Sequence, residues 1–260
     1  MGWISNLIHS MRQKTTLDIA SYSEIGNRPI QEDSIGIYHK GNSVCCVLCD
    51  GLGGHGMGDA ASSLVVSSIG EQYLQTEQTK GFLENAFSTA QEKLMQAQVK
   101  QHATEKMKTT TTAFVTDGKT VYMGYIGDSR LYLFLRNGKI KRTMDHSIPQ
   151  MLVLTHEIEE SEIRKHPDRS ILLRVMGVEW EKPMYEMMAP ISLADCDGLL
   201  LCSDGFWELI EDEEMQDTMK NASSAQNWLN TMVKMVNLNG HDQNMDNNSA
   251  IAVLCKRERR

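Results

Sequence analysis

Five aspartates, each at the end of an apolar segment, are the residues whose type and placement suggest chemistry. They are Asp33, Asp50, Asp128, Asp204 and Asp246. Carboxylates that converge at strand ends repel one another unless cations hold them together. Oxygen ligands without a nearby Cys or His cluster favour Mg²⁺ or Mn²⁺ over Zn²⁺. The set therefore predicts a metal site, although each aspartate alone could be an ordinary turn residue, since Asp-Gly is a common turn dipeptide.

A glycine-rich turn over residues 50–58 follows the second of these aspartates. It is not a phosphate-binding loop, because no Gly-Lys-Ser/Thr follows and the dinucleotide fingerprint spacing is absent. Its glycines favour close approach of the backbone to a metal ion, with the Gly51 carbonyl as a ligand. His55 in this turn could be a general acid or a ligand, but a surface histidine is more often neither.

Strands and helices must position these residues, and the helices fall into two blocks along the chain. The pattern predicts strands near 17–22, 34–39, 44–49, 109–116, 120–126, 130–136, 184–189, 198–203 and 249–255, and helices near 59–76, 80–101, 207–219 and 223–238. The Asn137-Gly138 pair predicts a tight hairpin. Two helical blocks around many strands favour an α+β layered sandwich over a parallel doubly wound sheet.

Composition limits both the domain count and the class of partner. The 260 residues are 41% hydrophobic and 23% charged, which is typical of a globular protein. We expect residues 1–16 to form an N-terminal arm and residues 17–256 to form one domain. A net charge of −8 argues against a nucleic-acid or anionic-membrane binder. No segment reaches the length of a membrane span.

Six cysteines raise the question of zinc or disulfides, and Cys46 and Cys49 have C-x-x-C spacing. Residues three apart in a strand point to opposite faces, so these two thiols cannot share one ligand. We interpret the cysteines as small buried hydrophobic residues of a cytoplasmic protein. The apolar face of the N-terminal arm, around Trp3 and Leu7, could touch a membrane or a partner, but packing on its own domain is favoured.

Seven motifs in order resemble the metal-dependent protein phosphatases of the type 2C serine/threonine class, particularly their compact bacterial members. The motifs lie at 26–33, 49–56, 109–113, 125–132, 145–147 with 166–169, 203–208, and 246–247. The resemblance covers almost the whole chain. It implies a four-layer α-β-β-α sandwich in which two antiparallel β-sheets are flanked by helices. It also implies that the charged segment 146–176 is a flap beside the site.

The same resemblance implies a role for each site residue. Asp33, Asp50 and the Gly51 carbonyl would hold two Mn²⁺ or Mg²⁺ ions, with Asp204 and Asp246 completing the site. Asp128 and Asp204 would bind a third, weaker ion. Arg28 matches the phosphate-binding arginine, and Glu32 matches an acid that positions metal-bound water, so Arg28, Glu32 and Asp33 are the expected catalytic residues.

The expected reaction is hydrolysis of phosphoserine and phosphothreonine monoesters. Two dications can activate a bridging hydroxide and clamp an in-line displacement, while the Arg28 fork suits two phosphate oxygens. No arginine lies six residues after a cysteine, so the nucleophile should be water rather than a thiolate. We expect phosphoprotein substrates, an opposing bacterial Ser/Thr kinase and a monomer.

Four residues depart from the family pattern: Gln31, Leu52, Lys108 and Asn248. Leu52 stands where some members carry a histidine proposed as general acid, which leaves metal-bound water or His55 for that role. Two other functions stay open. A catalytically silent member would be a binding scaffold, although no predicted metal-ligand acid has been lost, and a small-molecule phosphohydrolase would use the same metal centre.

Overall fold

The computed structural model describes residues 15–53, 56–104 and 106–257. His55, most of the predicted N-terminal arm and residues 258–260 lie outside these ranges. The strands within them are β1 (Thr15–Glu24), β2 (Asp33–Lys40), β3 (Ser43–Asp50), β4 (Thr111–Thr116), β5 (Thr120–Ile126), β6 (Arg130–Leu135), β7 (Ile140–Arg142), β8 (Glu186–Ser192), β9 (Cys196–Cys202) and β10 (Asn248–Arg257).

The helices fall between these strands. They are α1 (Gly58–Gln75), α2 (Phe82–Lys100), α3 (Ile148–Leu154), α4 (Asp204–Trp207), α5 (Asp212–Lys220) and α6 (Ala225–Gly240), with short 3-10 turns at Glu160–Lys165 and Leu193–Asp195. The predicted helix at 207–219 is wrong in one respect, because the structure has two helices there. A capping box at Glu211 starts α5 as a separate helix.

Two five-stranded antiparallel sheets form the centre of the molecule. One has the order β1-β10-β9-β6-β7 and the other has the order β2-β3-β4-β5-β8. Apolar side chains from both sheets, such as Leu48, Phe114, Leu199 and Ile251, pack between them. This inner core follows from the alternation of side chains along each strand. The predicted four-layer sandwich is confirmed.

Helices cover the outer face of each sheet. Helices α1 and α2 pack on the sheet that contains β3, and α5 and α6 pack on the sheet that contains β9. Cys46 lies in the core between the sheets, whereas Cys49 faces α1 and α2. The prediction that these two thiols point to opposite faces is therefore confirmed, and all six cysteines are free and buried.

The segment predicted as the flap, residues 146–176, lies between β7 and β8 in the chain. It contains α3 and the 3-10 turn, and its last residues pair with Thr109 through an isolated bridge to Met176. Within the described ranges, no helix is both long enough and apolar enough to span a bilayer.

Candidate metal centre and phosphate cleft

Asp33 and Asp50 face each other across neighbouring strands. Asp33 begins β2, Asp50 ends β3, and the two are direct cross-strand partners. Like charges placed directly opposite one another destabilise a sheet. Burial, together with the charges of Asp204 and Asp246, raises the pKa of Asp33 to about 7. The pairing therefore stores electrostatic repulsion that a cation would relieve.

Asp204 links these two carboxylates to the rest of the cluster. It begins α4, where its Oδ1 accepts a 2.6 Å hydrogen bond from the Gly205 N–H. Loss of hydration, followed by the charges of Asp204, Asp33 and Asp128, raises the pKa of Asp50. The charge of Asp204 thus disfavours ionisation of Asp50.

Asp128 lies at the edge of the cluster. It follows β5 and is buried, and desolvation followed by the charge of Asp204 raises its pKa. The Trp207 indole N–H donates to the Asp128 carbonyl at 3.0 Å and fixes this turn. The chief electrostatic neighbour of Asp128 within the site is thus Asp204. These two residues were predicted to share a third ion.

Asp246 forms an ion pair with Arg28. The Arg28 Nη2 donates to Asp246 Oδ2 at 2.5 Å, and both side chains are partly exposed. The two residues lie 218 positions apart in the chain. The predicted phosphate-binding arginine is therefore adjacent to a predicted metal ligand, and its charge offsets the charge of that ligand.

The glycine-rich turn encloses Glu32 and leaves no room for a side chain at three of its glycines. A Cβ on Gly53 would lie 1.8 Å from Glu32 Oε2, and one on Gly58 would lie 2.6 Å from Oε1. A Cβ on Gly51 would lie 2.3 Å from the Gly58 carbonyl oxygen. The turn was predicted to let the backbone approach a metal ion. The contacts show that it encloses the Glu32 carboxylate. Desolvation followed by the charge of Asp59 raises the pKa of Glu32.

Several residues that support the site were not singled out from the sequence as site residues. Ser203 donates to Asp33 Oδ2 at 2.8 Å, and Thr110 accepts a hydrogen bond from the Asp50 N–H at 3.0 Å. The Asn247 carboxamide accepts from the Glu32 N–H at 2.7 Å. All three lie inside the motifs, so the signal was present, but only the fold shows which site residue each one holds, through its carboxylate or its backbone N–H.

A cleft of about 880 Å³ brings together most of the predicted site residues. Its lining includes Arg28, Glu32, Asp50, Gly51, Asp128, Asp204 and Asp246, together with residues 170–173 of the predicted flap. Leu52 and Lys108, two of the departures from the family pattern, also line it. The cleft is therefore lined both by most of the predicted ligands and by part of the predicted flap.

The protein phosphatase 2C family model matches residues 22–248. The chain belongs to this family. The serine/threonine phosphatase stp of Listeria welshimeri is 29% identical over 221 residues, which cover 82% of this chain and 87% of the relative. The family predicted from the motifs is confirmed.

Solved structures of family members have the same fold. The serine/threonine phosphatase Stp1 from Staphylococcus aureus matches with a TM-score of 0.84 and 26% identity, covering 93% of this chain and 96% of that one. The catalytic domain of the phosphatase PstP, solved in complex with two manganese ions, matches with a TM-score of 0.75 and 24% identity, covering 93% and 99%.

The site fits a hard cation by its donor set. All the predicted side-chain ligands are carboxylates, and Asp33 Oδ1 is buried without a hydrogen-bond partner. In the part of the chain that the structure describes, no three His, Cys, Asp or Glu side chains already form a group that could hold a metal. The carboxylates are thus neighbours under mutual repulsion rather than a preformed cage.

The remaining departures contact the site as supports. Gln31 accepts from the Asp33 N–H at 3.1 Å and donates to Ser23 at 3.0 Å. Asn248 donates to the Asp246 carbonyl at 3.1 Å. Both amides hold the backbone beside a predicted ligand, which explains why polar residues are accommodated at these positions.

Glu208 was quoted only as part of a motif and received no role. It lies at the end of α4, where Arg169 of the predicted flap donates to its carboxylate at 3.0 Å. Burial followed by the charge of Asp204 raises the pKa of Glu208 to about 7. This ion pair connects the flap to the element that carries Asp204.

Proposed function

We propose that this phosphatase 2C family member hydrolyses phosphoserine and phosphothreonine monoesters in proteins with the help of Mn²⁺ or Mg²⁺. The observation that carries the proposal is the cluster of mutually repelling carboxylates beside Arg28 in one cleft. Such a cluster is costly for a protein without a cation. Its retention supports catalysis over a role as a binding scaffold.

In this proposal, oxygen atoms of the chain would coordinate two ions and a third ion that binds more weakly. Asp33, Asp50, the Gly51 carbonyl, Asp204 and Asp246 would hold the pair, and Asp128 with Asp204 would hold the third. Bound divalent ions would supply the positive charge that activates water and neutralises the phosphoryl oxygens.

Arg28 would hold the phosphate through its planar fork of N–H donors. Its present partner is Asp246, so a cation at Asp246 would release the guanidinium for phosphate. Glu32 would accept hydrogen bonds from water in the cleft. The glycines that enclose Glu32 would hold its carboxylate in place. Arg28 and Glu32 thus act on the phosphate and the water respectively.

We also propose a functional counterpart, a location and an oligomeric state for this protein. A phosphoprotein phosphatase acts opposite a kinase, and we infer a cognate Ser/Thr kinase as its functional counterpart. Six free, buried thiols are consistent with a cytoplasmic protein. We further propose that it acts as a monomer built from the single predicted domain, residues 17–256, with the predicted flap bordering the cleft.

The test is phosphate release from a phosphothreonine peptide with Mn²⁺, repeated after chelation and beside a small phosphate ester. Metal-dependent release that favours the peptide supports a protein phosphatase. Release that favours the ester points to a small-molecule phosphohydrolase. Release from neither substrate, in a sample that is folded and supplied with metal, contradicts the proposal and favours the scaffold.

A further inference from the structure

Part of the lining of this cleft is an apolar wall that is open to solvent. Ten large hydrophobic side chains are exposed in the described residues, and three of them, Ile30, Ile171 and Leu173, line this one cleft. They are 53%, 46% and 46% exposed. Exposed apolar side chains that gather at one place mark a binding surface more often than scattered ones do.

The flap part of this wall is held at both ends. The Ile171 carbonyl accepts from the Ile148 N–H at 3.0 Å, and the Leu173 N–H donates to the His146 carbonyl at 2.7 Å. Further along, Arg174 donates to Glu186 at 2.8 Å. The wall is therefore preformed, and binding against it requires little additional ordering.

Ile30 forms the other part of the wall, next to Arg28 in the chain. Its carbonyl accepts a 3.0 Å hydrogen bond from Asn247, the residue that also accepts from the Glu32 N–H. The apolar side chain is thus fixed to the same scaffold as the predicted phosphate-binding and water-positioning residues. A phosphoresidue at Arg28 would place its neighbours in the peptide beside the wall.

The charged residues that line the cleft, namely Arg28, Glu32, Lys108 and the aspartates, are not part of this wall. Residues 170–173 carry no ionisable side chain, and Val175 and Val178 extend the apolar lining. A charged neighbour of the phosphoresidue would lose hydration against this wall without gaining a partner from it. An apolar neighbour would remove exposed apolar surface on both molecules from water.

We propose that this site selects phosphopeptides in which a large apolar side chain directly flanks the phosphorylated residue. The inference rests on the proposed phosphatase function and specifies its substrate class. Ile30, Ile171 and Leu173 are the specificity-determining residues. They would contact the flanking side chain and leave the phosphate to the charged residues of the cleft.

The experiment compares phosphothreonine peptides that differ only in the residues flanking the phosphothreonine. Leucine, alanine and aspartate are placed on each side in turn, and kcat/KM is measured with saturating Mn²⁺. We expect leucine to exceed alanine by about fivefold to tenfold on at least one side, and aspartate to fall below alanine. The ratio of leucine to alanine is the readout, so a general loss of rate does not affect it.

The double variant Ile171→Ser/Leu173→Ser should bring this ratio towards one. Ile30→Ser, measured separately, tests the other part of the wall. The matched control is Leu74→Ser, which removes an equally exposed leucine from α1, outside the cleft, and should keep the ratio of the unmodified protein. Thermal unfolding checks that each variant is folded, and Leu173→Ala replaces the double variant if the latter is not.

The outcomes separate the two proposals. Hydrolysis of all peptides at equal rates overturns the apolar selection and leaves the phosphatase function standing. Hydrolysis of none overturns both. A leucine preference that survives the Ser substitutions at 30, 171 and 173 shows that another surface is responsible, and it overturns the assignment to this wall.

Discussion

Individual carboxylates of the site occupy positions that their own charge disfavours. The pKa of Asp33 is raised to about 7, and those of Asp50, Asp128 and Asp204 are raised as well, each chiefly by desolvation. Ser203 and Gly205 hold two of them with short hydrogen bonds despite this cost. Strain of this kind at one place is typical of functional sites.

Asp204→Asn should separate stability from activity. The variant removes a charge that raises the pKa of Asp33, Asp50 and Asp128, so the metal-free protein should unfold at a higher temperature. Phosphate release with Mn²⁺ should fall by about a hundredfold or more, because a shared ligand is lost. Thermal unfolding with chelator and a phosphopeptide assay measure the two effects.

The control for this substitution is Asp217→Asn, which removes an exposed carboxylate from α5. It should change neither quantity appreciably, since exposed ion pairs contribute little. Near-normal turnover in Asp204→Asn would show that the metal assignment is wrong.

The glycine-rich turn shows how an element, rather than a residue, positions the site. Gly51 N–H donates to the Glu32 carbonyl at 3.1 Å, and Leu52 N–H donates to the Lys108 carbonyl at 2.9 Å. The turn is thereby joined to β2 on one side and to the start of β4 on the other. Close packing of backbone on backbone explains why glycines recur here.

Gly51→Ala should disrupt this packing. The added methyl group would meet the Gly58 carbonyl, so we expect a loss of about 1–3 kcal/mol in the free energy of unfolding and a marked loss of phosphatase rate. Urea unfolding and the peptide assay are the measurements. Gly41→Ala is the matched control, because its Cβ would enter open space and only its positive φ is unfavourable, costing about 1 kcal/mol. Equal rates in both variants would contradict the steric argument.

The burial of Glu208 at the end of α4, near the charge of Asp204, should give stability a pH dependence, and the ion pair with Arg169 of the predicted flap only partly opposes it. Because the pKa of Glu208 rises from its ordinary 4.5 to about 7 on folding, the folded protein retains a proton that the unfolded chain has lost. This contribution to stability is complete below pH 4.5 and is lost as the pH rises to about 7, on the order of 3 kcal/mol at most.

Glu208→Gln should reduce that slope, while Asp33, Asp50, Asp128 and Asp204, whose pKa values are also raised, keep the remainder. Urea unfolding at about pH 4.5 and about pH 7.5 measures it in both proteins. Glu213→Gln, an exposed carboxylate on α5, controls for the loss of one charge and should keep the slope. An unchanged slope in Glu208→Gln would show that other groups produce it.

Local patterns predicted most elements within two or three residues, because strand alternation and the Asn137-Gly138 turn are encoded in neighbouring residues. The break at Glu211 was missed because the apolar spacing of the sequence continues across it. The capping contacts at Glu211, which start a new helix, are not part of that spacing. Aspartates at strand ends were found for the same local reason. The Arg28 pairing with Asp246 and the enclosure of Glu32 depend on distant segments, and no local signal contains them.

At the scale of the whole molecule, both sheets contribute to the site. Asp33 and Asp50 belong to one sheet, and Asp204 and Asp246 flank strands of the other, β9 and β10. Asp128 lies in the turn that passes from β5 to β6, and thus from one sheet to the other. The repulsion of Asp204 with Asp33 and Asp50 therefore acts across the interface of the sandwich.

Mn²⁺ should consequently stabilise the entire fold. A cation that binds the folded state alone raises the free energy of unfolding by about 2.7 kcal/mol at a hundredfold excess over its dissociation constant. The unfolding temperature should rise with Mn²⁺ concentration and return to its starting value on chelation. Asp204→Asn is the control and should show a smaller rise. An unfolding temperature independent of Mn²⁺ would contradict the proposed site.

The six cysteines make the interior accessible to a simple chemical measurement. All lie in β3, β9 or β10, and burial raises the pKa of each thiol, that of Cys49 to about 12 and that of Cys196 to about 11. A thiol reagent can react only after a strand has separated from its neighbours. The rate and order of labelling therefore time the opening of each sheet, without a dye or an introduced probe.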